Sequence, residues 1–222
     1  MTRRDILVVG AAPRTGAEAW YRGLIGRAGM LIAADAGVAV CLEADRVPDV
    51  CVGDFDSADP ADIAAAVAAG ARVVRLPSRK DESDLDRAVA EARALGADGL
   101  TLTACFSDRL DHTLAAIGTL LRAADSMAVG REPDVTLYGL DAQARPVLRT
   151  DEAAGTLVSV FAIGGGATVS ARGLEYPLES TKLDALSSLG LSNVAVGGDV
   201  VVQVASGSVL VVVGAPADPV SG

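Results

Sequence analysis

Short apolar runs alternate with amphipathic stretches from residue 6 to residue 140. The amphipathic stretches repeat their apolar positions at helical spacing. Continuous apolar runs are typical of parallel strands that helices cover on both faces of a sheet. The pattern therefore predicts an open α/β sheet. Its predicted strands are residues 6–9, 30–34, 50–52, 73–76, 100–104 and 135–140.

A turn at residues 141–144 ends this pattern, and beyond it apolar and polar residues alternate in short segments. Such alternation is typical of antiparallel strands with one buried face. Three glycines at residues 164–166 predict a hairpin turn, because a strand and not a helix follows them. The sequence thus predicts an α/β domain over residues 1–142 and a small antiparallel β domain over residues 145–222. The expected β-domain strands are residues 157–163, 168–171, 200–205 and 209–214.

Two aspartates follow the third predicted strand. Asp54 and Asp56 are two positions apart, so they point the same way if the strand geometry continues, with Phe55 turned into the core. Two carboxylates that face one spot repel each other unless a cation lies between them. Helix capping is the simpler explanation, but Asp59 before Pro60 already supplies a cap. Because oxygen-only ligands favour Mg²⁺ over zinc, the sequence indicates a magnesium site.

A second acidic segment, K-D-E-S-D-L-D, begins at Lys80 and leads into a predicted helix. Ser83 and Asp86 match a capping box with Asp in place of Glu, which leaves Asp81 and Asp84 over. The helix dipole alone would also favour acids at this position. Lys80 beside Asp81 could position phosphate oxygens while the acids hold a metal. Phosphoryl transfer needs that combination.

Two further strand ends carry polar side chains. Asp35 follows the second predicted strand, where an aspartate serves either as a helix cap or as a ligand contact. Arg109, Asp111 and His112 follow the fifth strand and fit a capped helix start with a salt link. A strand-end arginine near carboxylates also suits a triphosphate, because its planar guanidinium neutralises phosphate charge. His112 is the only histidine, and no G-x-S-x-G motif accompanies it.

The composition narrows the classes of function. Half of the 222 residues are apolar, which is enough for a substantial core, while 3% are aromatic and the net charge is −10. This charge would repel a nucleic-acid backbone, so we expect no nucleic-acid partner. We predict that Cys41, Cys51 and Cys105 are reduced core residues. Because no apolar run suits a signal peptide or a membrane span, we expect no membrane association and a soluble, cytoplasmic protein.

Six motifs follow one another along the chain. They are A-D-A-G at residues 34–37, P-D-V-C-V-G-D-F-D-S at 48–57, K-D-E-S-D-L-D-R-A at 80–88, R-L-D-H-T-L at 109–114, G-L-E-Y-P-L at 173–178 and G-L-S-N at 190–193. In order and spacing they resemble the thiamine pyrophosphokinase family. The resemblance implies a Rossmann-like amino-terminal domain, a carboxy-terminal β-sandwich and a homodimer with thiamine near the subunit interface. It also implies transfer of the β,γ-diphosphate of ATP to the hydroxyl of thiamine, which releases AMP.

The resemblance and the residue patterns together give three sets of candidate residues. The candidates for catalysis and for binding Mg²⁺ are Asp54, Asp56, Asp81 and Asp84. The candidates for binding ATP are Asp35, Lys80, Arg109, Asp111 and His112. The candidates for binding thiamine are Ser192 and Asn193. We hypothesise that one carboxylate of the Asp81 and Asp84 pair accepts the proton of the hydroxyl, and the cationic thiazolium suits an acidic site.

The chain departs from the family pattern before R-L-D-H. A-C-F-S-D at residues 104–108 stands where the family tends to have a glycine-rich turn, and its side chains could block the close approach of backbone to a phosphate. Three alternatives therefore stay open. One is the same transfer to another hydroxymethyl heterocycle such as a pterin, and another is a nucleotide-binding module without turnover. The last is a structural α/β domain in which the surplus acids serve only as helix caps.

Overall fold

The structure is a computed structural model that describes residues 4–12, 16–78, 81–106 and 109–216. These residues fall into two compact units. The first contains the chain up to Thr119 together with Gly130–Pro133, and the second contains Leu120–Val129 together with the chain from Asp134 onward. The sequence prediction divides the chain between residues 142 and 145. In the structure, residues 135–141 belong to the second unit because they form a strand of its sheet.

Strands and helices alternate in the first part of the chain, as the apolar runs predict. The elements are β1 (Asp5–Val9), α1 (Glu18–Gly26), β2 (Met30–Ala34), α2 (Gly37–Glu43), β3 (Val50–Gly53), α3 (Pro60–Ala68), β4 (Arg72–Arg75), α4 (Asp84–Ala94), β5 (Gly99–Thr103), α5 (Leu110–Arg122) and β6 (Val129–Glu132). Strands β1 to β5 are parallel in the order β5-β1-β2-β3-β4, and β6 lies beside β5. The strand order reverses at β1, and ligands bind at the carboxyl ends of the strands beside such a switch point.

Strands β1, β2 and β3 of the first sheet are largely buried because they are apolar on both faces. The last four residues of β1 and of β2 are buried, and so is every residue of β3. Helix α3 begins at its predicted cap, whereas α2 begins without the side-chain cap that Asp35 could have supplied. The side chain of Asp59 accepts a hydrogen bond from the Ala61 amide at 2.8 Å, and Pro60 occupies the first position of α3. This arrangement leaves Asp54 and Asp56 without a capping role for α3, as the sequence analysis argued.

The second unit is antiparallel. Its strands are β7 (Val135–Asp141), β8 (Val147–Glu152), β9 (Thr156–Arg172), β10 (Leu178–Leu183), β11 (Asn193–Val194) and β12 (Gly198–Pro216). The long strands β9 and β12 pair with each other. Strand β9 also pairs with β10 and β11, while β12 also pairs with β7 and β8. The two long strands therefore organise this unit.

The predicted hairpin turn at residues 164–166 is wrong, because β9 continues through it. Gly164 and Gly207 have φ values of 80° and 78°, and the pairing of β9 with β12 shifts register between Val204 and Ser208. Positive φ and irregular pairing let both strands bend together while they stay paired. Each half of the bent pair joins a different sheet, one with β7 and β11 and the other with β8 and β10. A shared apolar core packs between these halves, which makes the unit a β-sandwich.

Two expectations from composition can be compared with the structure. Cys41, Cys51 and Cys105 are free and buried, which confirms their prediction as core residues. Among the described residues, no helix combines the length and the apolar character that crossing a membrane requires.

Candidate active site

Three turns at the carboxyl ends of the parallel strands contain a non-glycine residue with left-handed backbone. Asp35 directly follows β2 with φ 48°, Phe55 lies two residues after β3 with φ 61°, and Ala104 directly follows β5 with φ 52°. Such conformations cost on the order of 1 kcal/mol each and concentrate at binding sites, where surrounding contacts hold them. Backbone strain is thus gathered at the sheet edge where the sequence analysis placed the candidate residues.

Asp35, Asp54 and Asp56 form a carboxylate cluster at this edge. Each offers one carboxylate oxygen, and these oxygens all lie within 4.8 Å of one another. The sequence predicts that Asp35 binds ATP and that the other two bind the metal, but the structure brings all three together. Like charges at such distances repel, and a divalent cation removes the repulsion. The cluster therefore has the donor set that Mg²⁺ prefers.

One carboxylate oxygen of the cluster has no hydrogen-bond donor among the described residues. The Ser57 hydroxyl donates to Asp35 Oδ2, while Asp35 Oδ1 is buried and accepts no hydrogen bond from the described residues. A buried carboxylate oxygen without a donor is costly, and a bound cation offsets that cost. The backbone amide of Asp56 donates to Asp54 Oδ1 at 3.3 Å. These contacts fit a hard cation held by carboxylate oxygens.

The backbone around Phe55 explains how the cluster forms. The interpretation that strand geometry continues through this segment is wrong, because β3 ends at Gly53 and Phe55 is left-handed. Phe55 still packs against the apolar core, and the Arg75 guanidinium lies 5.1 Å from its ring centroid. A Cβ on Gly53 would lie 3.1 Å from the Asp35 Cα. Glycine at this position thus lets the ends of β2 and β3 approach each other.

A cavity of about 670 Å³ lies at the same edge. Its volume falls within the range of small-molecule sites. The ends of β1, β2 and β5 contribute Gly10, Asp35 and Ala104 to its wall, and the start of α4 contributes Asp84. The start of α5 adds Arg109, Asp111 and His112. Five predicted site residues from separate segments therefore line one cavity.

The start of α4 matches the predicted capping box. The Ser83 hydroxyl accepts from the Asp86 amide at 3.1 Å, and the Asp86 carboxylate accepts from the Ser83 amide at 3.4 Å. The other Asp86 oxygen accepts from the Thr119 hydroxyl at 2.6 Å. Asp84 is half-buried on the cavity wall, whereas Asp81 is exposed and is not among the cavity-lining residues. Lys80 lies outside the described residues.

Arg109 and Asp111 form the predicted salt link at the start of α5. Arg109 Nη2 donates to Asp111 Oδ2 at 2.6 Å, and Arg109 Nε donates to Asp111 Oδ1 at 3.2 Å. Both side chains are more than 60% exposed. A fork-to-fork contact on an exposed cavity wall can exchange its carboxylate for a phosphate, because both anions accept the same pair of donors.

Two family models match the chain. One describes the catalytic domain of thiamin pyrophosphokinase and matches residues 21–129, and the other describes its vitamin B1 binding domain and matches residues 147–209. Together the two matches cover most of the chain. The chain belongs to the thiamin pyrophosphokinase family. The enzyme activity of this family, which the chain shares, is transfer of a diphosphate from ATP to thiamine.

Solved structures of thiamin pyrophosphokinases share this fold. The enzyme from Geobacillus thermodenitrificans has a TM-score of 0.80 at 23% identity, with 96% of this chain and 99% of that chain covered. The enzyme from Bacillus subtilis has a TM-score of 0.78 at 19% identity, with 95% and 99% covered. The enzyme from Candida albicans has a TM-score of 0.79 at 14% identity, with 96% of this chain and 89% of that chain covered. These similarities confirm the predicted fold class. No curated protein matches the chain in sequence.

Ser192 and Asn193 lie within the match to the vitamin B1 binding domain. Asn193 is buried, and its amide holds the backbone of Tyr176. Its Oδ1 accepts from the Tyr176 amide at 3.1 Å, and its Nδ2 donates to the Tyr176 carbonyl at 2.6 Å. Ser192 is exposed with φ 54°, and its amide donates to the Ser159 hydroxyl at 3.0 Å. The Ser192 side chain is therefore exposed, while the Asn193 side chain holds the backbone of the loop at Tyr176.

The Arg109 contact predicts how Asp111 titrates. The hydrogen bond from Arg109 is the largest cause that lowers the pKa of Asp111, from 3.8 to about 2. Because the folded-state pKa is depressed, the contact stabilises the fold above the ordinary pKa of about 4 and loses that effect as the pH falls towards 2. In an NMR titration, Arg109→Ala should raise the Asp111 pKa. Arg87→Ala, which removes an arginine paired with Glu82, should not. An unchanged pKa in Arg109→Ala would contradict this account.

One buried contact next to the turn after β5 was not predicted from the sequence. The Tyr21 hydroxyl donates to the Glu132 carboxylate, although 111 positions separate the two residues. Burial raises the pKa of Glu132, and its hydrogen bonds with Tyr21 and with the backbone oppose that rise. Neither residue belongs to a motif. The residues beside Glu132 in the sequence, Arg131 and Pro133, give no local signal of this contact.

Proposed function

We propose that this protein transfers the β,γ-diphosphate of ATP to the hydroxyl of thiamine at the carboxylate cluster and the adjoining cavity. The thiamine oxygen forms a bond to the β-phosphorus, the bond from that phosphorus to the α-phosphate oxygen breaks, and AMP leaves. The observation that carries this proposal is the convergence of Asp35, Asp54 and Asp56 from two strand ends within 4.8 Å. Phosphoryl transfer depends mainly on positioning and charge neutralisation, and this cluster serves both.

Asp35, Asp54 and Asp56 would hold Mg²⁺. When bound, the ion neutralises charge on the transferred phosphates. The buried Asp35 Oδ1 without a donor and the absence of nitrogen and sulfur ligands in the cluster support this choice of metal. Asp84 faces the cavity from α4, so it is the better placed member of the Asp81 and Asp84 pair to accept the thiamine proton. We keep Asp81 as a proposed member of the catalytic set on the resemblance alone.

The nucleotide would lie along the wall formed by α5. Arg109 exchanges its Asp111 contact for a phosphate, and Asp111 and His112 border the same space. Lys80 remains a proposed phosphate contact on its motif alone. We propose Ser192 and Asn193 for thiamine, with Asn193 shaping the loop and Ser192 offering its hydroxyl. The net charge of −10 favours the cationic thiazolium.

The protein is proposed to act as a cytoplasmic homodimer. Several large apolar side chains near Ser192 in the sequence are at least half exposed, and a second subunit would cover such residues. They are Tyr176, Leu186, Leu189, Leu191 and Val196.

Product analysis tests the proposed function. Incubation with MgATP and thiamine, followed by ³¹P NMR, should give AMP and thiamine diphosphate in equal amounts, and chelation of Mg²⁺ should stop the reaction. A hydroxymethyl pterin offered in place of thiamine should give no AMP. AMP formed only with the pterin would assign the other acceptor. Binding of ATP without AMP release over hours would indicate a nucleotide-binding module and contradict the proposal.

A further inference from the structure

The turn after β5 points its backbone amides at a carboxylate of the protein itself. The amides of Cys105 and Phe106 donate to Glu132 Oε1 at 3.1 and 3.5 Å. Ala104 has φ 52°, and successive amides around a left-handed residue form a concave anion-binding nest. In this chain the nest is filled by Glu132.

The carboxylate in the nest is held from its other side as well. Glu132 is 9% exposed, and its Oε2 accepts from the hydroxyl of Tyr21, which is 5% exposed on α1. Both carboxylate oxygens are therefore engaged, one by the turn and one by a buried tyrosine of α1. A buried acid of this kind is retained only with such partners, because removing them leaves an uncompensated charge.

The turn also supports the neighbouring strand end. The Gly10 amide donates to the Thr103 carbonyl at 2.9 Å, and the Ala12 amide donates to the Ala104 carbonyl at 2.8 Å. A Cβ on Gly10 would lie 2.4 Å from the Ala104 oxygen, so the two segments are in direct contact. Gly10, Ala12, Ala104 and Cys105 all line the cavity. Whatever fixes the turn therefore fixes two parts of the cavity wall.

We infer that Glu132, held by Tyr21, is a positioning residue for nucleotide binding that takes the place of a phosphate in this turn. The inference rests on the proposed function of the cavity. The amides of Cys105 and Phe106 are not available to a phosphate, because both are bonded to Glu132. Instead the Glu132 carboxylate holds the turn in place. The metal-binding cluster and Arg109 then neutralise the negative charge of the nucleotide. This accounts for side chains at residues 104–106 where a phosphate-binding turn would need glycine.

Steady-state kinetics of two substitutions test the inference. Glu132→Ala should raise KM for MgATP by about tenfold or more and change KM for thiamine and kcat by less than about threefold. Glu132→Gln keeps an acceptor oxygen for the amides and should stay within about threefold of the wild type. Tyr21→Phe should shift KM for MgATP in the same direction by a smaller factor. Equal changes in both KM values, or no rescue by glutamine, would overturn the positioning role.

Thiol labelling tests the same inference without turnover. In Glu132→Ala the released turn should expose Cys105, so that its labelling by a disulfide reagent accelerates at least about tenfold, with the site located by mass spectrometry. Glu132→Gln should show a much smaller increase. Val202→Ala, a change in the separate apolar core of the second unit, which contains no residue of the turn, lowers stability and should leave labelling unchanged. An unchanged rate in Glu132→Ala would overturn the inference. A wild type that forms no AMP would instead contradict the proposed function and leave this measurement valid.

Discussion

Replacing Asp56 with asparagine should lower kcat by about a thousandfold while the fold stays intact. The substitution removes one of three carboxylates that converge within 4.8 Å, and loss of a single electrostatic group at a reacting centre costs on this order. The side chain is exposed, so no core contact is lost. In the metal-free protein the change also relieves repulsion, so the melting temperature should stay the same or rise slightly. Steady-state turnover and thermal unfolding measure the two effects.

Asp62→Asn is the matched control for this prediction. It removes an aspartate from the first turn of the neighbouring α3 but lies outside the cluster, so turnover should stay near the wild-type value. Added Mg²⁺ should raise the melting temperature of the wild type and of Asp62→Asn, because a ligand that binds only the folded state stabilises it. In Asp56→Asn this shift should shrink. Turnover at the wild-type rate in Asp56→Asn would remove this residue from the mechanism.

The sequence predicts the first unit well because its signals are local. Each buried strand is a continuous apolar run, and Asp59 with Pro60 defines a helix start within two residues. The same logic places Asp54 and Asp56 at a strand end. Parallel strands then bring Asp35 near them, although the motif pattern assigned it to the nucleotide. The three carboxylates converge because β2 and β3 are neighbouring parallel strands whose carboxyl ends meet at one edge of the sheet.

The features that escaped prediction depend on contacts between distant residues. Glu132 and Tyr21 are 111 positions apart, and neither side chain signals its partner. The glycines at residues 164–166 predict a hairpin turn, but glycine is equally suited to a bend within a continuous strand, which is what β9 forms there. Only pairing with β12, which bends at Gly207, keeps the strand continuous, and pairing register is a property of two segments together. Local composition cannot distinguish these outcomes.

Gly173→Ala should destabilise the β unit strongly, lowering the free energy of unfolding by about 3–4 kcal/mol. Gly173 directly follows β9 and has φ 81°, which an alanine adopts at a cost of about 1 kcal/mol. The added Cβ would also lie 2.1 Å from the carbonyl oxygen of Asp199 on β12. That atom is backbone within a paired strand, so it cannot move aside as a flexible side chain would. Urea unfolding followed by circular dichroism measures the loss.

Gly164→Ala separates the two causes. Gly164 has nearly the same φ, 80°, but a Cβ there would meet no atom within 4 Å. In this variant the free energy of unfolding should fall only by the cost of a left-handed alanine, about 1 kcal/mol. The difference between the two variants then measures the contact of Gly173 with β12, which gives a physical reason for glycine at the start of the G-L-E-Y-P-L motif. Equal losses in the two variants would show that β12 shifts to accommodate the methyl group, and the close approach would then not explain the glycine.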